Sequence, residues 1–292
     1  FSKSEKINLG ESKTYNLDKF ADLIHGVNCP CCSSNFDKDI EDSSDITFAI
    51  DGSFQTMANY LTTGFWSNGE FGGGSREWNL GTSGDNPQGG IISYSLGKNE
   101  YDSNGLTSGV SELYRESFKL YEETLGIDFE EITSYNTNVD IDIVDDETGA
   151  FAVSTNTNEK LNWAGINVSE NWTNYYGTYQ GSYSLQTIHH EIGHALGLGH
   201  QGNYNNTASY SDAKYVNDSW QATMMSYFSQ TQNTSISADR IYLMTPSAVD
   251  WIALDDIYSD YSVYGISNAF AGDTTFGFNT NISSSTSEIW SS

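Results

Sequence analysis

Residues 190–200 read His-Glu-Ile-Gly-His-Ala-Leu-Gly-Leu-Gly-His, and four of the chain's five histidines fall within the twelve residues 189–200. On a helix, positions four apart lie about 40° apart around the axis and one turn along it, so His190 and His194 present their imidazoles to one point. Glu191, rotated about 100° from His190, reaches a water bound there without filling a ligand position. Gly197 and Gly199 let the helix stop and the chain turn sharply with positive φ, which returns His200 as a third ligand. Three neutral imidazoles suit Zn²⁺ and leave a fourth position for water, the arrangement of a catalytic rather than a structural site. The ion acidifies that water, Glu191 accepts its proton as general base, and the same ion polarises the carbonyl under attack. The chemistry is metal-assisted hydrolysis. A core helix with incidental histidines does not account for a Gly and a third His at fixed offsets. His189 is rotated onto another face, which suits a place on the surface or behind the ligands better than ligation.

These side chains need elements to carry them. Residues 184–198 form the helix that bears the motif. The clearest long helix runs from about Thr107 to Leu125, with Val110, Leu113, Tyr114, Ser117, Leu120, Tyr121 and Leu125 at spacings of three and four, and Gly126 ending it. Pro246 to Tyr258 is a third helix and Met57 to Trp66 a shorter one; Leu17 to Ile24 is amphipathic. Strands are expected at 46–50, 91–96, 149–153 and 161–168, and at 139–144, where apolar and acidic residues alternate as in a strand with one solvated face. Helices and strands mix without regular alternation, so the fold class is α+β, a twisted mixed sheet with a backing helix and an active-site helix.

The 292 residues carry 12 Lys+Arg against 39 Asp+Glu, a net charge of −27. That charge repels phosphate and argues against nucleic-acid or anionic-membrane partners. The 19 Tyr, 14 Phe and 7 Trp argue against disorder. No run approaches the ~20 apolar residues of a membrane span. Most acidic residues are expected to be solvated surface, with a few Asp suited to Ca²⁺ through oxygen ligands, although no loop has EF-hand spacing. The chain starts at Phe1 with neither Met nor a leader pattern, as a processed or trimmed product would.

The extended histidine motif is the defining motif of the metzincins, which the chain resembles, and Thr223-Met224-Met225-Ser226-Tyr227 looks like the family's Met-turn. The resemblance implies that Met225 lies beneath the zinc site. It also implies that Tyr227 ligates zinc or swings away to hydrogen-bond the oxyanion. Within the metzincins the chain is most similar to serralysins, through Asn203-Tyr204-Asn205, Met225-Ser226-Tyr227, Asp255-Asp256-Ile257, Val263-Tyr264-Gly265 and the segment Gly272 to Asn279. The match is clearest from about residue 184 to 281. It implies a secreted, extracellular bacterial zinc endopeptidase acting on proteins or peptides, with the 107–125 helix as the backing helix. It also implies that Ala150, Phe151 and Ala152 form an edge strand on which substrate adds as an antiparallel strand; an ordinary sheet strand is the alternative. The expected organisation is an N-terminal extension (1–45, a pro-segment or packing arm), a protease domain (46–265) and the start of a C-terminal module or linker (266–292). No calcium-binding β-roll repeat follows Asn281.

Cys29, Cys31 and Cys32 are foreign to the serralysin pattern. Their odd count leaves a thiol without an intrachain partner, and the cluster suits a local structural or redox role or a latency role with one thiolate on the catalytic zinc. Asn-x-Ser/Thr triplets such as Asn171-Trp172-Thr173 are weak evidence for glycosylation in an Asn/Ser-rich chain. Two other functional readings compete: a metal-binding, adhesin-associated module with little turnover, which would have no need of Glu191, and a hydrolase of non-peptide amides.

Overall fold

The computed structural model describes residues 50–68, 74–81, 87–99, 101–134, 138–205 and 207–261. The expected amphipathic stretch at 17–24, the cysteine cluster, both terminal segments and the serralysin-like stretch from Val263 onward lie outside these residues. So does the strand at 46–50 except Ile50, which bridges to Tyr215.

Five strands form one sheet, in the order β2–β1–β3–β5–β4. They are β1 (Ile91–Ser95), β2 (Asp128–Glu131), β3 (Ile141–Val144), β4 (Ala150–Thr157) and β5 (Lys160–Val168). All pairings are parallel except that of β4 with β5, which is antiparallel with Ala152 opposite Ile166. The two termini of the sheet order are thus β2 and β4, and β4 has no outer strand among the described residues.

The helices are α1 (Phe54–Asn59), running on into a π-helical turn at Tyr60–Gly64, α2 (Ser108–Leu125), α3 (Glu170–Tyr176), α4 (Tyr183–Ala195) and α5 (Ala248–Tyr258). The α+β expectation holds. Thr107 caps α2 through its hydroxyl, and Gly126 closes it in the left-handed conformation at φ 69°, which glycine adopts without a Cβ penalty. The buried stripe of α2, including Val110, Tyr114, Phe118 and Tyr121, follows the helical period. Helix α5 starts at Ser247 with a capping box to Asp250, one residue beyond Pro246.

Two expectations are corrected. Asp140, just before β3, and Asp142 within it do not make a solvated face. Asp140 accepts from the Ser93 amide and hydroxyl at 2.8 and 2.6 Å, and Asp142 accepts from the Trp163 indole at 2.8 Å. The second face of the sheet also carries packed side chains, among them Val144 and Trp163, so the acids there find hydrogen-bond partners instead of open solvent. The motif helix ends at Ala195 rather than 198, because the turn that redirects the chain begins earlier.

The main core lies on one sheet face. It joins Ile141 and Ile143 of β3 and Ala164, Ile166 and Val168 of β5 to the buried stripes of α2, α4 and α5. Val144, Phe151, Val153 and Trp163 point the other way and form a smaller cluster with Tyr101. Helix α4 packs over β4 and β5, which brings the histidine motif beside the sheet's edge. Among the described residues no helix is long and apolar enough to cross a membrane.

Candidate metal centre

His190 and His194 project from the last two turns of α4, and His200 returns from the turn behind it; the three form a cluster able to hold one ion. The Nε2 atom of His194 lies 3.1 Å from that of His190 and 3.0 Å from that of His200. Every Nδ1 faces a backbone carbonyl: Met224 for His190 (2.8 Å), Leu198 for His194 (2.8 Å) and Tyr204 for His200 (3.0 Å). A carbonyl has no proton to give, so each Nδ1 donates and each Nε2 presents a bare lone pair. Three lone pairs converging at this distance repel one another unless a cation lies between them. Tetrahedral ligands about 2.0–2.1 Å from Zn²⁺ are spaced about 3.3 Å apart, close to the observed spacing. The donor set therefore fits zinc. Burial acts in the same direction, lowering the His190 pKa to about 4 and those of His194 and His200 well below the ordinary value, so the rings stay neutral as metal binding demands.

The turn that returns His200 is held carbonyl by carbonyl. The Trp78 indole donates to Ala195 O (2.9 Å), the Tyr258 hydroxyl to Leu196 O (2.7 Å) and the Trp66 indole to Gly197 O (2.8 Å). These aromatic donors satisfy carbonyls that a helix end leaves without intrahelical partners. Gly197 has φ +106°, and a Cβ there would sit 2.0 Å from the Arg76 carbonyl oxygen. Gly199 does not share this conformation: it has no positive φ, and its role is close packing, since a Cβ would meet the Phe65 ring at 2.3 Å. The expected left-handed turn thus rests on Gly197 alone. The Arg76 guanidinium stacks 3.8 Å over Trp66 and donates to Ser154 of β4 at 2.9 Å.

Met225 is fully buried, and its sulfur occupies the space beside Gly193 of α4, 2.8 Å from where a Cβ would be. The turn carrying it is organised by Asp250, which accepts from the Met224 and Ser247 amides (2.9 and 2.8 Å) and from the Thr223 hydroxyl. Burial raises the Asp250 pKa to about 6, opposed by these hydrogen bonds. The Tyr227 ring lies 4.5 Å from that of His200 and 4.6 Å from that of Tyr204. Glu191 is buried on α4 directly after His190. Ala150, Phe151 and Ala152 occupy the first residues of the edge strand β4, against which α4 packs, with Ala150 and Phe151 buried and Ala152 partly so. His189 is neither a ligand nor on the surface. It is buried against Tyr121, and burial lowers its pKa to about 4.

A second cluster joins Asp102, from the loop after β1, to Asp145 and Asp146 after β3, with one oxygen from each within 4.8 Å of the others. Asp102 and Asp145 are buried, whereas Asp146 is exposed. Asp102 Oδ1 accepts from the Asn104 and Gly105 amides, whereas its Oδ2 and both oxygens of Asp145 are buried without a hydrogen-bond donor. Sequence spacing gave no sign of this cluster, because Asp102 lies more than forty residues before Asp145 and Asp146. Trp66, Trp78, Tyr258 and Asp250 were missed for the same reason.

A model of the matrixin peptidase family M10 matches residues 88–239, a little over half of the chain. The metallopeptidase AprA of Pseudomonas marginalis is 41% identical over 107 residues, which is 34% of this chain and 21% of that protein. Serralysin C of Dickeya chrysanthemi is 42% identical over 103 residues, 34% of this chain and 20% of that one. Serralysin A of the same organism is 34% identical over 142 residues, 47% and 28% of the two chains. The matched stretch thus spans about a fifth to just over a quarter of these relatives. With the histidine cluster, the methionine buried against the motif helix at Gly193 and the mixed sheet on which that helix packs, the chain belongs to the matrixin family of peptidases, with a serralysin-like metzincin catalytic fold.

Proposed function

We propose that this chain is a zinc endopeptidase that hydrolyses peptide bonds in proteins or peptides. One observation carries the reading: three imidazoles, each committed through Nδ1 to a carbonyl, converge their remaining lone pairs on one point. His190, His194 and His200 hold the ion, which when bound supplies Lewis acidity to the scissile carbonyl and to the attacking water. Glu191 accepts the proton of that water as general base and passes it to the leaving amine. Tyr227, beside His200, serves as a further ligand or as a hydrogen-bond donor to the oxyanion. Met225 forms the floor by filling the space at Gly193. The backbone of Ala150, Phe151 and Ala152, on the open edge of the sheet, pairs with an extended substrate. Residues 46–265 are read as the protease domain between two terminal segments. Secretion into an extracellular setting rests on the serralysin resemblance.

A fluorogenic-peptide assay on zinc-loaded protein tests this. Replacing Glu191 by Gln should lower kcat by about 10²-fold or more, the scale of a lost general base, with zinc content unchanged. Equal and negligible turnover in both proteins would favour a metal-binding module instead. Cleavage restricted to non-peptide amides in a substrate panel would favour the other hydrolase reading.

Calcium is assigned to Asp102, Asp145 and Asp146. Calcium–oxygen distances of 2.3–2.6 Å let ligand oxygens lie up to about 4.6–5.2 Å apart, and all three oxygens here lie within 4.8 Å of one another. Two buried carboxylates with three oxygens lacking a donor need a cation or a proton to be tolerated. Thermal melting should rise on adding Ca²⁺ to chelator-treated protein, and Asp145→Asn should abolish the rise.

A further inference from the structure

The three carbonyls that orient the triad are held in different ways. Leu198 O sits inside the turn pinned by the aromatic donors, and Met224 O belongs to the turn organised by Asp250. Tyr204 O, the partner of His200, lies in a stretch with no regular structure. Its anchor is the Tyr204 side chain, whose hydroxyl meets both carboxylate oxygens of Asp218 at 3.0 and 3.2 Å. Asp218 is fully buried. A hydrogen bond from the Ser226 side chain, between Met225 and Tyr227, reaches the same carboxylate. The Asp218 backbone is itself fixed: its amide donates to Tyr215 O at 3.1 Å and its carbonyl accepts from the Asn233 side chain at 3.1 Å. Burial raises the Asp218 pKa to about 7, and no ion pair among the described residues offsets that burial.

Removing a carboxylate from water is costly unless it organises its surroundings. Here the surroundings are the two segments that carry the third histidine and the Met-turn tyrosine, between which the described residues form only a short 3-10 turn at Tyr210–Asp212.

We propose that Asp218 is a positioning residue for the metal centre: through Tyr204 it fixes the carbonyl that orients His200, and through Ser226 it ties that loop to the turn carrying Met225 and Tyr227. One buried acid then sets the spacing between the third imidazole and the phenol beside it. The inference rests on the reading of the triad as a zinc site.

The test is zinc affinity, measured by competition with a chromophoric chelator, with the visible spectrum of the Co²⁺-substituted protein as a second readout. Asp218→Asn and Tyr204→Phe should each weaken zinc by about 10–100-fold, the scale seen when a partner orienting a ligand is lost. The double variant should be no worse than the weaker-binding single variant, because both changes break one link. The Co²⁺ spectrum should shift in both variants. Tyr204→Phe removes only a hydroxyl and keeps the ring, so it supplies the answer if Asp218→Asn does not fold. Unchanged zinc affinity and an unchanged Co²⁺ spectrum in Tyr204→Phe would overturn the proposal, leaving the pair as ordinary core packing; so would fully additive losses. Wild-type protein that takes up no zinc would overturn the triad reading itself, and the positioning role with it.

Discussion

Gly193 shows how little room the centre has. It stands one position before His194, and a Cβ would lie 2.8 Å from the Met225 sulfur. Replacing Gly193 by Ala should destabilise the protein by about 1–3 kcal/mol, as overpacking does, readable as a lower Tm with zinc still bound. Gly197→Ala should be worse, because the obstacle is the Arg76 backbone carbonyl and φ is +106°; little soluble protein is expected on expression. At this scale much was legible beforehand. The spacing of His190 and His194 reports helix geometry directly, Gly197 marks the turn that returns His200, and the three rings do meet. The acceptors at Met224, Leu198 and Tyr204 were not legible, since what fixes an imidazole's far side is a carbonyl delivered by tertiary approach.

Among the elements, α4 is informative because its C-terminal turn depends on partners far away in the chain. Trp78 to Ala195 O spans 117 positions and Tyr258 to Leu196 O spans 62. Trp78→Phe retains the apolar bulk and deletes the donor, leaving a buried carbonyl short of a partner. A loss of about 1–3 kcal/mol is expected, measured by chemical denaturation of the metal-free protein. Helix α2 was readable because its apolar stripe repeats over five turns. Strand β2 (Asp128–Glu131) and helix α3 (Glu170–Tyr176) were not: each is too short for a period to emerge, and β2 carries three acids in four residues. The alternation in β3 gave the strand correctly but not its surroundings, because a residue's period says nothing about what packs over the second face of the sheet.

For the whole molecule, the charge of −27 sets the terms of stability. Asp145 condenses that problem into one site. Burial comes first, then Asp102, Asp146 and Glu170 nearby, and together they raise its pKa to about 7 from an ordinary 3.8. A carboxyl with a raised folded-state value favours the folded state fully below 3.8, and that contribution is lost as pH rises through 7. Calcium held at the proposed site would oppose the loss only where the group is ionised. The gap between melting temperatures with Ca²⁺ and with chelator should therefore widen from pH 4 to pH 8, and a gap independent of pH would contradict the assignment. The net acidity was legible in composition, whereas its concentration at Asp102 and Asp145 depends on loops that follow different strands of the sheet. The chain's four methionines also differ in exposure: Met57, Met224 and Met225 are sealed, and Met244 is only half-buried. A sulfoxide oxygen on Met225 has nowhere to go while Gly193 lies against the sulfur. Mild peroxide followed by peptide mass mapping should thus mark Met244 first. The slower appearance of oxidised Met225 then becomes a clock for how often the packing of Met225 against Gly193 breathes open.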